Sequence, residues 1–182
     1  MPTIETERLA LRPLAVDDAP FILALLNEPS FVRYIGDKQV RNVEDARQYI
    51  LNGPVASYER NGFGLCLVQL RETQTKIGMC GLIRREELAE PDIGFAYLPD
   101  FWGKGLAYEA AKAVLHDADE RLELKRVLAI TSLDNDASIK LLKRLGFEFD
   151  RVMKLSSNRE EVRLFSSNIG AGKGKTLHGM DH

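Results

Sequence analysis

Cysteine and histidine are scarce in this sequence. Its 182 residues hold two cysteines, Cys66 and Cys80, and three histidines, His116, His178 and His182, in no metal-ligand spacing. No metal site is expected. The cysteines read as small, reduced core residues, with a disulfide as the open alternative. No apolar run approaches the ~20 residues that cross a bilayer. Neither sign of charge dominates. With 25 Lys and Arg against 27 Asp and Glu the formal net charge is −2, which gives no reason to expect nucleic acid or an anionic membrane as a partner. The opening Met1-Pro-Thr-Ile-Glu-Thr-Glu-Arg8 lacks the basic flank and apolar stretch of a signal peptide, so a soluble cytoplasmic protein is expected. What remains is 45% hydrophobic and 29% charged, an ordinary globular balance, in a length that suits one domain plus a tail.

Periodicity organises the chain. Arg8–Pro13 alternates Leu9 and Leu11 with polar neighbours and reads as a strand. Asp17-Asp18 is expected to cap a helix carrying Phe21, Ile22, Leu25 and Leu26 on one face, which Pro29 ends. Phe31–Ile35 reads as a helical turn. Asn42 caps a second helix, which Gly53-Pro54 should kink or divide. Phe63–Leu70 and Lys76–Ile83 are apolar runs joined by a polar link, a hairpin signal that sets Cys66 nearly opposite Cys80. The charged stretch 84–91 reads as a solvated face. Ile93–Leu98 is a fourth strand, Ala107–Leu122 an alanine-rich helix and Arg126–Thr131 a fifth strand. A helix follows with Ile139, Leu142 and Leu145 on its apolar face and Gly146 at its C-terminal cap, then strands Phe147–Arg151 and Glu161–Phe165. The order predicts one mixed α/β domain over residues 1–167, with about seven strands and about four helices. Residues 168–182 read as a mobile tail. That tail contains Gly170-Ala-Gly-Lys-Gly-Lys-Thr176, which misses the phosphate-loop pattern. Ile169 stands where the first glycine belongs, and too few residues follow Thr176 for the required helix.

The stretch Asp92–Ala107 is the most informative. A strand, a turn at Pro99-Asp100 and the loop Trp102-Gly103-Lys104-Gly105-Leu106-Ala107 run straight into a helix. A glycine loop at a helix N-terminus presents free N–H groups to an anion such as a phosphate.

This loop resembles the acetyl-coenzyme A loop of the GNAT N-acetyltransferases, whose pattern is Gln/Arg-x-x-Gly-x-Gly/Ala. Asn135-Asp136-Ala137-Ser138 with Leu145-Gly146-Phe147 resembles that family's Asn-x-x-Ser…Gly-Phe segment. Thr6-Glu7-Arg8-Leu9-Ala10-Leu11-Arg12-Pro13-Leu14 resembles the opening strand of its RimJ/RimL-like branch. Trp102 departs from the wider pattern and suits that branch. The resemblance spans roughly residues 4–167 and implies a GNAT fold with a sheet splayed between the fourth and fifth strands. It further implies an acetyl-CoA-dependent N-acetyltransferase acting on a primary amine, either a protein N-terminus or a small amine, as a monomer or homodimer. A catalytically weak acyl-CoA-binding sensor of the same fold is the alternative.

The same resemblance assigns roles. Backbone N–H groups of Phe95, Ala96, Tyr97 and Leu98 would bind pantetheine and polarise the thioester. Trp102, Gly103, Lys104, Gly105, Leu106 and Ala107 would hold the pyrophosphate. Asn135 would meet the cofactor's amides, cap a helix, or do both. Ser138 is a candidate donor of a proton to the leaving thiolate, or a plain first-turn serine. Asp92 is a candidate base acting through water, or a solvent-facing carboxylate. The family's tyrosine acid corresponds to Leu142 and is absent. Phe31, Arg33 and Tyr34, with the second helix and the 156–159 loop, would line the acceptor pocket, unless they are surface and packing residues.

Overall fold

Eight strands form one open sheet in the order β1-β2-β3-β4-β5-β6-β8-β7. They are β1 (Ile4–Glu5), β2 (Leu9–Pro13), β3 (Leu65–Leu70), β4 (Lys76–Ile83), β5 (Asp92–Tyr97), β6 (Arg126–Ser132), β7 (Glu148–Lys154) and β8 (Glu161–Asn168). This is a computed structural model, and it describes residues 1–156 and 160–170. Residues 171–176 of the glycine- and lysine-rich tail and residues 157–159 of the 156–159 loop therefore lie outside the described residues. The expected count of seven strands misses β1, whose two residues pair with Leu11 and Ala10 but are too few to show a period. The splayed pair is accordingly β5 and β6. The final strand runs to Asn168, one residue past the expected domain boundary, and the Ile169 N–H donates to the Lys125 carbonyl at 2.9 Å.

Among the described residues six α-helices flank the sheet: α1 (Ala19–Leu26), α2 (Pro29–Tyr34), α3 (Val43–Ile50), α4 (Ala56–Asn61), α5 (Leu106–Glu120) and α6 (Asp136–Arg144). There are more than four because Pro29 opens a separate short helix and because the second expected helix is divided. Its division is the wide π-turn Leu51–Val55 around Gly53-Pro54. A proline inside a helix has no N–H to give and clashes with the preceding turn, which the wider turn relieves.

The helices cover the two faces of the sheet. On one face α5 and α6 bury Ala110, Ala111, Val114 and Leu142 against Leu11, Val68, Cys80, Ile93 and Phe165. On the other, α1–α3 bury Ile22, Leu25, Leu26 and Ile50 against Leu67 and Met79. Small alanines let α5 lie close to the strands. Cys66 and Cys80 are register partners on β3 and β4, both free and buried. Burial is the main cause that pushes the Cys66 thiol up to about 12, with the Asp117 charge adding to it, and it pushes Cys80 in the same direction. These thiols carry no thiolate at neutral pH.

One expected cap takes a different form. The Asp18 carboxylate does not cap α1. It is buried, accepts the Ala15 N–H at 2.9 Å, and pairs with Arg12 of β2 at 2.9 Å and Lys76 of β4 at 2.8 Å. Burial by itself would raise the pKa of Asp18. The hydrogen bonds from Arg12 and Lys76 overcome that and hold it at about 2.

Candidate active site

The sheet opens where β5 meets β6. Six residue pairs join β4 to β5 and seven join β6 to β8, but only Asp92↔Leu128 joins β5 to β6. Below that single pair a cleft of about 150 Å³ passes through the sheet. Phe95, Ala96, Asp92, Asn135, Ser138, Phe31 and Tyr34 all line it, so residues far apart in sequence converge on one space.

Alternation along β5 decides which backbone groups face the gap. The Leu98 N–H donates to the Ile77 carbonyl at 2.9 Å, and the antiparallel register with β4 is unbroken from Tyr97 to Asp92. In such a ladder every second residue bonds the same neighbour. Ala96 and Leu98 therefore turn their amides to β4, while Phe95 and Tyr97 turn theirs toward the gap. Of the four expected backbone donors only these two stay open to a ligand. The carbonyl of Tyr97 is itself taken by the Trp102 indole N–H at 3.0 Å, which pins the loop to the end of the strand.

The loop itself is built on two left-handed residues, Gly103 at φ +71° and Gly105 at φ +75°, and Gly105 is the N-cap of α5. Side chains with a Cβ avoid that region, which is why glycine stands at both places. The first N–H groups of α5 have no partner within the helix and point out of its N-terminus. Beneath the loop, Glu109 accepts from the Arg8 backbone at 2.9 Å, the Arg8 Nε at 2.7 Å and the Thr6 hydroxyl at 2.6 Å. Arg8 also donates to the Lys104 carbonyl at 3.0 Å. Sequence reading placed Thr6 and Arg8 in a matching segment but saw neither this clamp nor Glu109.

At the other mouth stands Asp92. It is buried rather than exposed, against the alternative that it faces solvent. Its Oδ1 accepts from Arg85 Nε at 3.0 Å, and its Oδ2 has no partner among the described residues. Desolvation raises the pKa of Asp92, and the neighbouring Arg85 charge opposes the rise. Arg85 lies in the stretch read as a solvated face; it is the main residue that sequence reasoning missed, together with Lys38 and Tyr49, which also line the cleft. Charged residues in a loop give no sign of which ones fold back.

Across the gap, Asn135 Oδ1 accepts the Ser138 N–H at 3.3 Å and caps α6. That leaves the Asn135 side-chain NH₂ for the cleft, so capping and ligand contact are compatible. Thr131 Oγ1 and Ser132 Oγ, on the β6 wall, are buried without a partner among the described residues. Arg33 does not line the cleft. It bridges from α2 to Asp134 at 3.3 Å, across the cleft mouth, and stacks on the Tyr34 ring.

A split sheet, a left-handed glycine loop on a helix N-terminus and open amides on the strand between them suit a long ligand with a phosphate end and a polar amide arm. Known proteins match the chain directly. Residues 8–148 match the acetyltransferase (GNAT) domain family. The chain belongs to the GNAT acetyltransferases. Among relatives of this GNAT protein, the uncharacterized N-acetyltransferase YoaA of Bacillus subtilis is 31% identical over 84% of this chain and 86% of its own length. An acetyltransferase from Agrobacterium tumefaciens superposes with a TM-score of 0.79 at 27% identity, over 92% of this chain and 95% of that one. The RimL alpha-N-acetyltransferase of ribosomal L7/L12, solved in complex with coenzyme A, shares the fold with a TM-score of 0.80 at 18% identity, over 92% and 98% of the two chains. The fold class and the N-acetyltransferase family expected from the sequence are thus established, and the fold is one that RimL also has. GNAT acetyltransferases use acetyl-CoA. Among the described residues no helix is long and apolar enough to cross a membrane.

Proposed function

We propose that the chain moves the acetyl group of acetyl-CoA to a primary amine, of a protein N-terminus or a small molecule, by direct attack of the amine on the thioester carbonyl. Acetyl-CoA supplies an activated acyl group, and the residues present fit it. Loop residues Trp102–Ala107 and the α5 N-terminus receive the pyrophosphate. The gap-facing amides of Phe95 and Tyr97 hold the pantetheine arm and donate to the oxygen that gains charge. Asn135, with Thr131 and Ser132 behind it, supplies further polar contacts on the β6 wall.

The observation that carries this reading is the position of Asp92. It stands at the only β5–β6 pair, on the α1–α3 side of the sheet, opposite the side on which α5 lies. An amine that reaches the gap from the α1–α3 side comes to a carboxylate oxygen that is buried and has no partner among the described residues. A carboxylate whose pKa is raised by desolvation is a stronger base, and Asp92 accepts the amine proton directly or through one water. Ser138, on the far wall, holds a hydroxyl proton for the leaving group. The base need not be strong for an α-amine. At a pKa of ~7.7–8.0, roughly a tenth to a fifth of such amines are already neutral at pH 7.

The experiment is an incubation of the protein with acetyl-CoA and a panel of amines at several pH values, following free thiol. Amine-dependent thiol release is the expected result. Tight acetyl-CoA binding with no release on any amine would favour the sensor instead.

A further inference from the structure

The acceptor side of the cleft has more positive than negative charge. Asp92, Arg85 and Lys38 line it, with Tyr34 and Tyr49. Arg85 uses Nε on Asp92, and its remaining guanidinium N–H groups have no protein acceptor among the described residues. Lys38 has no carboxylate partner among the described residues either. Lys38 is exposed at the rim of the cleft; the protein beside its amine partly desolvates it and Arg85 repels it, and both effects lower its pKa. Nearby carboxylates are committed elsewhere. Glu87 keeps its charge and feels Arg85, but it is exposed, lies outside the cleft lining and is held by the backbone and hydroxyl of Ser156. Asp37 pairs with Arg41, and Asp134 with Arg33. Tyr49 stays neutral, since burial raises its pKa to about 12. Among the residues lining the cleft two cations stand against one carboxylate, a surplus of one positive charge at a rim that Lys38 shares with solvent. Desolvated like charges persist at a cost, which a ligand of opposite charge removes.

We infer that the acceptor carries a carboxylate a few bonds from its amine, and that Lys38 and the free end of the Arg85 guanidinium receive it while Asp92 faces the amine. This rests on the transferase reading above and narrows its substrate class. One surplus charge matches one carboxylate; a phosphate monoester would bring nearly two. The planar Arg85 fork suits a carboxylate, and Lys38 adds a point charge. The cleft of about 150 Å³ also takes the thioester end of the cofactor, so its acceptor side admits only the amine end of a molecule and its nearest substituent, whether a free amino acid or the first residue of an acidic peptide.

Two matched acceptor pairs test this. β-Alanine is compared with β-alaninamide, and the C-terminally amidated peptide Asp-Ala-Ala with Asn-Ala-Ala. Each pair differs only in the carboxylate. Thiol release gives kcat/KM at saturating acetyl-CoA and low salt, normalised to neutral amine. The acid is expected to win by about tenfold or more in at least one pair, and the winning pair says whether the source is a small molecule or a peptide. In Lys38→Met the ratio falls toward one, chiefly through KM. Lys38→Arg keeps it, and acetyl-CoA affinity by calorimetry is the same in all three proteins. Equal rates for acid and amide in both pairs overturn the inference while leaving the transferase reading intact. So does a ratio that Lys38→Met does not move. Thiol release from no acceptor overturns both.

Discussion

Asp92 is a carboxylate held out of water with one oxygen paired to Arg85 and the other bare. Its position at a strand start could be read from the alternation that follows it, and its candidacy as a base from the family pattern. Its burial could not, because the partner that makes burial tolerable lies seven residues back in a stretch of like-looking charges. Within 84–90, Arg85 turns inward to Asp92 and Leu88 enters the core, while Arg84 bonds the Leu88 and Ala89 carbonyls at the surface, Glu87 holds Ser156 and Glu90 pairs with Arg126. Asp92→Asn keeps the shape and removes the proposed base. We expect kcat to fall by about 10²–10³ with acetyl-CoA affinity within about twofold. The sign of the pH effect follows from the raised pKa. A protonated Asp92 cannot accept, so activity rises with pH through a carboxyl limb lying above the usual carboxylate range, and the limb disappears in the variant. A pH–rate profile checks both points; an Asp92→Asn enzyme that keeps the limb has its base elsewhere.

At the scale of elements, the strand–loop–helix from Asp92 to Glu120 was the most legible part of the chain. Glycine at two left-handed positions and alanine along a helix face are requirements of backbone and packing, and such requirements leave marks on sequence. Contacts made by side chains from distant segments leave weaker marks, which is why the hold of Arg8, Thr6 and Glu109 on the loop went unseen. The cap expected from Asp17-Asp18 also misled. An aspartate before a helix reads as a cap unless Arg12 and Lys76 are known to be near. Gly105 offers a direct test of the loop. A Cβ there would meet nothing closer than Arg8 Nη2 at 3.5 Å, so space does not forbid it; the φ of +75° does. Gly105→Ala should cost about 1–2 kcal/mol of stability from backbone strain alone. Gly105→Glu adds a negative charge at the phosphate position and should weaken acetyl-CoA binding by about a hundredfold or more. Titration calorimetry against thermal melting separates the two effects, and unchanged acetyl-CoA affinity in Gly105→Glu would disprove the loop assignment.

Across the whole molecule, the sheet was legible because alternation and turn chemistry repeat over seven of its strands. Strand β1 was not, since two residues carry no pattern, and neither was the division between the faces, which depends on how β5 and β6 part. The buried Asp18 ties β2 to β4 and the chain before α1, and it makes the fold sensitive to acid. Its pKa is depressed, so its stabilisation is complete above the unfolded value near ~3.9 and is lost as pH falls toward about 2. Asp18→Asn should cost about 2–3 kcal/mol at neutral pH, at the low end for a broken buried pair because Arg12 and Lys76 each keep about a third of their side chains in water. Melting curves from pH 7 to pH 3 should show the gap between the variant and the parent narrowing at the acid end. The grip of Thr6 and Arg8 on Glu109 has a practical bearing as well. If the loop holds the pyrophosphate as proposed, a purification tag or truncation that disturbs the first eight residues would be read at the bench as weak coenzyme binding, although residues 102–107 had not been touched.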